Sequence, residues 1–167
     1  MEQIHVLSVF VNNCVGVLTR ISGLFARRGY NIKSLTVGET ESSSFSRITI
    51  AFHGDEEIKE RIFQQLKKLH DVREVEVLDP HETVIRELLL IKVRNKPESR
   101  QDIMTAVEIF RSKIVDYSTT AVTCELTGET SKIDAFIDLM KPYGIMEMCR
   151  TGIVAIERGN NCLTTER

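Results

Sequence analysis

The chain has 167 residues, enough for one ordinary domain or two small ones, and its composition is that of a globular protein without tryptophan. Twenty-two lysines and arginines stand against 24 aspartates and glutamates, a net charge of −2, with the basic residues scattered. That pattern excludes the electrostatic footprint of a nucleic-acid binder or of a protein held to an anionic membrane.

Residues 4–11 read as a strand that is apolar on both faces, with Ile4, Val6 and Phe10 on one and Leu7, Val9 and Val11 on the other. Both faces then need cover, one from helices and the other open to a partner subunit. Asn13-Cys14-Val15-Gly16 hands over to a helix in which Val17, Leu18, Ile21, Leu24 and Phe25 recur as one buried face. Arg27-Arg28-Gly29 ends it, two cations complementing the dipole and the glycine supplying a left-handed cap. Residues 31–38 and 45–52 form a hairpin: Ser46, Ile48, Ile50 and Phe52 alternate with Phe45, Arg47, Thr49 and Ala51, and residues 39–44 are polar. Asp55 caps a second helix carrying Ile58, Ile62, Phe63, Leu66 and Leu69, with Lys67 and Lys68 in its last turn. Residues 72–78 make a fourth strand, stopped by Asp79-Pro80-His81.

The same order then recurs. Residues 84–93 are a strand and Asn95-Lys96-Pro97 a turn. Ser99 caps a helix with Ile103, Met104, Val107 and Phe110 on one side. Residues 114–117 and 121–127 are short strands. Thr130 or Ser131 caps a helix through Ile133, Phe136, Ile137 and Met140, ended by Pro142 and Gly144. Residues 145–156 close the unit, interrupted near Gly152. The fold class is α+β: two ferredoxin-like βαββαβ units, each a four-stranded antiparallel sheet with two helices on one face. The expected domains are 1–79 and 80–158, with a flexible tail at 159–167. Units this small cannot leave an apolar sheet face wet. Sheet-to-sheet or edge-to-edge pairing between units or subunits is expected, and with it a dimer.

Chemistry concentrates at the first turn. The helix opens without an acidic residue, so its unpaired N–H groups and positive dipole end are free to meet an anion. Gly16 lets a ligand approach the backbone, and Asn13 offers both a donor and an acceptor. Together they form a cradle for a small zwitterion, a helix cap with no ligand being the plainer alternative. Asn31, after Gly29, reads on the residues alone as a turn residue.

Catalysis finds no such support. Cys14 has no histidine near it in sequence, and Cys14, Cys124, Cys149 and Cys162 form no metal-binding or disulfide framework. His5, His53, His70 and His81 lack ligand or nucleophile spacing, and Glu56, Glu57, Lys59, Glu60 and Arg61 read as a solvated helix face. RNA-recognition modules share this topology, but Phe10, Phe45 and Phe52 lack the Lys/Arg-Gly-Phe run those modules use. The apolar runs at 88–91 and 153–156 are too short to cross a bilayer. Met1-Glu2-Gln3-Ile4-His5 has no secretory pattern, so a soluble cytoplasmic protein is expected.

Longer stretches resemble a known family. Asn13-Cys14-Val15-Gly16-Val17-Leu18-Thr19-Arg20-Ile21, Leu24-Phe25-Ala26-Arg27-Arg28-Gly29-Tyr30-Asn31-Ile32 and Leu35-Thr36-Val37-Gly38 resemble the ACT domain of the small regulatory subunits of acetolactate synthase, also called acetohydroxyacid synthase. The second half is similar to the same family in Val107-Glu108-Ile109-Phe110-Arg111, in the run from Thr127 to Phe136, and in Arg150-Thr151-Gly152-Ile153-Val154-Ala155.

The resemblance implies a non-catalytic subunit of branched-chain amino acid biosynthesis, with no cofactor of its own. It would activate a large catalytic subunit that uses thiamine diphosphate, Mg2+ and FAD, and confer feedback inhibition by valine bound where two ACT domains meet in a homodimer. Carried over by position, the effector contacts are Asn13, Val15, Gly16, Val17, Leu18, Asn31 and Ile32. Related ACT domains commonly place proline where this chain has Val15. The alternative is a stand-alone ACT-type amino-acid sensor acting on a different partner.

Overall fold

The computed structural model describes residues 3–163; the expectations on Met1, Glu2 and the last four residues of the tail, 164–167, lie outside the described residues. By contacts the described chain forms two compact units, one of residues 3–84 with 153–163 and one of residues 85–152.

In the first unit the order is β1 (Gln3–Asn12), α1 (Val17–Arg27), β2 (Ile32–Glu39), β3 (Phe45–Gly54), α2 (Glu56–Leu66) and β4 (Val72–Val77). The antiparallel sheet runs β2-β3-β1-β4, so the strand that feeds the Asn13 turn is central. Leu7, Val9 and Val11 lie across from Ile50, Ile48 and Ser46. These strands' apolar side chains pack with Phe52 against Val17, Ile21, Leu24 and Phe25 of α1 and Ile62 and Leu66 of α2. At about 1.5–3 kcal/mol for each large apolar side chain buried, this layer fixes where α1 begins. Leu18 is not part of that face: one residue round from Val17, it is left 41 % exposed.

The opposite face of the sheet is also out of water. Val6, Ser8, Phe10, Thr49 and Ala51 are all buried in the single chain. The 153–163 segment reaches this face, with Ile153 N–H donating to Ser34 Oγ at 3.4 Å and Arg47 Nη2 donating to the Leu163 carbonyl at 3.0 Å.

Local signals in the first unit otherwise hold, with one further adjustment. Asp55 accepts the Ile58 N–H at 2.8 Å as the N-cap of α2. Gly29 has φ +70° after α1. The last turn of α2 was expected to hold Lys67 and Lys68, but the helix ends at Leu66. There the bonding tightens, Lys68 N–H reaching Gln65 and Leu69 N–H reaching Leu66, while the Lys67 ammonium sits 4.7 Å over the Phe63 ring.

The second unit carries β5 (Thr83–Arg94), α3 (Arg100–Phe110), β6 (Lys113–Tyr117), β7 (Ala121–Gly128), α4 (Thr130–Met140) and β8 (Ile145–Arg150). Its sheet order, β6-β7-β5-β8, repeats the first. The long final strand is broken around Gly152, as its sequence implies. Leu89, Ile91, Val93, Val122, Cys124 and Leu126 pack on Ile103, Ala106, Val107, Ile133, Phe136, Ile137 and Met140.

Two caps differ from expectation. Ser99 holds the N-cap position of α3, but its hydroxyl donates to the Lys96 carbonyl at 3.4 Å instead of capping. At α4 the N-cap position falls to Glu129, because the Thr130 hydroxyl is taken up by the Glu87 carboxylate.

Glu87 is the unexpected feature of this core. It is 3 % exposed, and Arg150 holds it through Nε at 3.0 Å and Nη2 at 2.8 Å. Arg150 also donates from Nη1 to Asp134 at 2.8 Å. Partial burial works against the guanidinium charge, but the bonds to Glu87 and Asp134 prevail and raise its pKa. The two partners are not equivalent, because Arg150 keeps 28 % exposure and can be hydrated while Glu87 cannot. Arg150→Met should therefore cost about 3–5 kcal/mol, the penalty for a stranded buried charge. Glu87→Gln should cost less, about 1.5–3 kcal/mol, the scale of hydrogen bonds to a charge. Urea denaturation of the full chain measures both, and equal losses would contradict the asymmetry.

Candidate functional site

The turn between β1 and α1 is built by the elements it joins. Asn13 N–H donates to the Ser44 carbonyl at 2.8 Å, and its side-chain Nδ2 donates to the Ser43 carbonyl at 2.9 Å and to Glu39 Oε1 at 3.0 Å. Both amide protons thus go to the β2–β3 hairpin, leaving Oδ1 as the acceptor not used among the described residues. Cys14 N–H turns back to Asn12 at 3.0 Å. Val15 stands wholly exposed at the apex.

Gly16 is the N-cap of α1 at φ +87°, a left-handed conformation that strains any residue with a Cβ. No side chain caps the helix and its first turn holds no acid. Arg20 N–H reaches Gly16 at 3.0 Å and Val17 N–H makes only a long contact of 3.4 Å to Cys14. Among the described residues the N–H groups of Val15, Gly16, Leu18 and Thr19 have no such partner. Four donors at the positive end of a helix dipole suit a carboxylate.

The remaining expected positions divide. Val17 is buried in the core, so its side chain supports the turn and only its backbone faces the site. Leu18 is half exposed beside the free donors and offers an apolar surface. Asn31 is exposed, just ahead of β2, and makes no hydrogen bond among the described residues. Ile32 begins β2 and packs partly against its own unit's core.

Sequence reasoning missed Arg20 and Asp71, which are far apart in the chain. Arg20 lies over the turn: a Cβ on Gly16 would stand 3.4 Å from its Nη1. Its Nη2 forms an ion pair with Asp71 and lies 3.9 Å from Cys14 Sγ. Partial desolvation would raise the Asp71 carboxyl, but hydrogen bonds from the Cys14 thiol and Arg20, with the Arg20 charge, hold it below the usual aspartate range.

Asn95 was also missed as a counterpart of Asn13. It follows the central strand of the second unit as Asn13 follows that of the first. Its N–H donates to the Thr120 carbonyl at 2.9 Å and its Nδ2 to the Ser118 carbonyl at 2.7 Å, again tying the turn to a hairpin. Here the Oδ1 is filled, accepting Arg100 Nε at 3.0 Å. Turn position, not the identity of either residue, was the signal that could have paired them.

Other candidates are weaker. A cavity of about 240 Å3 between α1 and α2 has Leu24, Tyr30 and Ile62 in its lining and an internally paired Glu57–Arg61 at its rim. It lies two helical turns from Gly16 and reads as a packing seam. Burial pushes the Cys124 thiol up to about 11, which keeps it a thiol at neutral pH. Among the described residues no group of three or more His, Cys, Asp or Glu is arranged to hold a metal, and no helix is long and apolar enough to cross a membrane.

Residues 7–74 match the family model described as the AHAS small subunit-like ACT domain, and residues 86–159 that described as the small subunit of acetolactate synthase. The chain is 46 % identical over 160 residues to a probable acetolactate synthase small subunit of Methanothermobacter thermautotrophicus, covering 95 % of each. It is 45 % identical over 157 residues to the acetolactate synthase small subunit of Bacillus subtilis, covering 93 % of this chain and 91 % of that one. The crystal structure of the acetolactate synthase small subunit from Thermotoga maritima superimposes with a TM-score of 0.87 at 45 % identity, over 95 % of this chain and 99 % of that one.

The lowered Asp71 pKa makes its ion pair stabilising above the unfolded aspartate value of 3.8 and lost as pH falls through the lower folded value. Melting temperature against pH should show wild type above Asp71→Asn at neutral pH, with the gap closing under acid. A gap unchanged in acid would contradict the assignment. Gly16→Ala should lower stability by about 1 kcal/mol or more through backbone strain alone.

Proposed function

The chain belongs to the family of acetolactate synthase small subunits, and from that premise we propose that it binds valine at the Asn13–Gly16 turn and passes feedback inhibition to a large catalytic subunit. In this reading the chain does no chemistry. It activates a large subunit whose thiamine diphosphate, Mg2+ and FAD carry out the condensation, and it works in the cytoplasm.

The valine carboxylate would lie on the free N–H groups of Val15, Gly16, Leu18 and Thr19, where charge-assisted hydrogen bonds are strongest. The ammonium would meet Asn13 Oδ1, with Asn31 of a second copy as its further acceptor. The aliphatic side chain would rest on Leu18, and on Ile32 where that residue is not covered by its own core. Val15 and Val17 serve through their backbone.

The single observation that carries this reading is the contrast between the two asparagine turns. Asn95 Oδ1 receives a guanidinium from Arg100, whereas Asn13 Oδ1 has no such cation among the described residues. The same fold position is self-satisfied in one unit and open in the other, and it is shaped to accept a cationic donor. Because the second sheet face of the first unit is already covered, a homodimer through the ACT domains would use the β2 edge, where Val37, Gly38 and Glu39 are exposed. A site shared across that edge couples occupancy to interface geometry, as regulation requires. The alternative, a sensor for another partner, is disfavoured by the second half, which matches the same subunit family.

Isothermal titration of the purified chain with L-valine, and with L-leucine and L-isoleucine beside it, is the test. Valine should bind, and Asn13→Ala, checked for a cooperative melt, should weaken it about tenfold or more, roughly 1.4 kcal/mol. Added to the large subunit, the chain should raise acetolactate formation, and valine should lower it again. No heat from any of the three amino acids would sink the site.

A further inference from the structure

We propose that Asp71 is an internal stand-in for the effector's carboxylate, seated on Arg20 beside the Gly16 turn, and that the effector binds by displacing it. The inference rests on the reading of that turn as an amino-acid site and adds how the site is held in reserve when empty.

Three observations carry it. Arg20 projects over the backbone an effector carboxylate would meet, close enough that a Cβ on Gly16 would touch its Nη1 at 3.4 Å. The anion now on that guanidinium is a side-chain carboxylate of this chain, Asp71. The cation that holds Asp71, Arg20, comes from the helix that the turn opens. The seat is thus already a carboxylate seat. It is occupied from the far side by the connection between α2 and β4, and Arg20 itself stays half exposed, with donors to spare.

The same connection supplies a route outward. The Asp71 carbonyl accepts the Asn12 N–H at 2.8 Å, and Arg73 Nε donates to Asn12 Oδ1 at 2.8 Å. The α2–β4 connection is therefore bound to the residue immediately before Asn13. An incoming carboxylate with four free backbone donors and a guanidinium outcompetes a carboxylate held, among the described residues, by the Arg20 side chain. Once Asp71 is released, the connection keeps its backbone bond to Asn12 but loses its ion pair to α1. The two states then differ in which carboxylate Arg20 holds, which is the differential contact a ligand needs in order to shift an equilibrium.

The test is titration of the full chain with L-valine and, as the probe lacking a carboxylate, L-valinamide. Asp71→Asn removes the competitor and keeps its shape, so valine should bind about three- to tenfold tighter, the factor by which an occupied seat lowers apparent affinity. Valinamide binding should not change, and a merely structural role for Asp71 would not separate the two ligands. Arg20→Gln should weaken valine about tenfold or more, and Arg20→Gln with Asp71→Asn should match Arg20→Gln alone, because the competition needs the guanidinium. If Asp71→Asn does not melt cooperatively, Asp71→Ser replaces it with the same expectation.

Valine binding that is unchanged or weaker in a folded Asp71 variant, with wild-type binding intact, overturns the displacement and leaves the site standing. Equal tightening of valine and valinamide also overturns it. No valine binding by wild type or by any variant removes the site reading, and this inference with it.

Discussion

Both amide protons of Asn13 are committed across the unit, to the Ser43 carbonyl and to Glu39, and its N–H to Ser44. That bridge ties the end of the central strand to the β2–β3 hairpin before the chain turns into α1. It fixes the entry to the helix, and with Gly16 at φ +87° the N–H groups of Val15, Gly16, Leu18 and Thr19 are left without a partner among the described residues. Burial of Val17, Ile21, Leu24 and Phe25 holds the helix at that angle. The unfilled donors are the consequence of a well-packed turn, and an anion is what such a helix end takes.

The repeat shows what the same architecture does without a ligand. In the second unit Asn95 makes the corresponding bonds to its own hairpin, and the chain spends Arg100 on the remaining acceptor. One copy of the turn is closed by its own side chain and the other stays open. The charged side chains of the second unit are instead drawn to Glu87, Arg150 and Asp134, where they join β5, β8 and α4. That network reads as structural, because Glu87 is sealed from water and each carboxylate contact is made within the unit.

The fold was legible because its signals are local. Period-two alternation marked β3, helical spacing marked α1 and α2, and Asp55 and Gly29 acted as their chemistry implies. Leu18 was misplaced because apolar spacing alone does not tell a buried face from an apolar shoulder. Thr130 was misread as a cap because its hydroxyl has a better partner 43 residues earlier, in Glu87. At the site, Asn13 and Gly16 were visible from residue type beside a strand-to-helix change. Arg20 and Asp71 were not, since they meet only after β4 pairs with β1, 51 positions apart in the chain. Long-range ion pairs leave no periodic trace, and a tertiary register is needed to bring them into view.

The central claim is that an effector's carboxylate lies on the open backbone donors of the first turn of α1. Backbone amide resonances of the isotopically labelled chain, followed through an L-valine titration, test it most directly. The account predicts that the Val15, Gly16, Leu18 and Thr19 N–H signals move most and move downfield, as donors do when they meet an anion. Shifts centred on the Leu24–Tyr30–Ile62 seam or on the second unit, with those four amides unmoved, would contradict it.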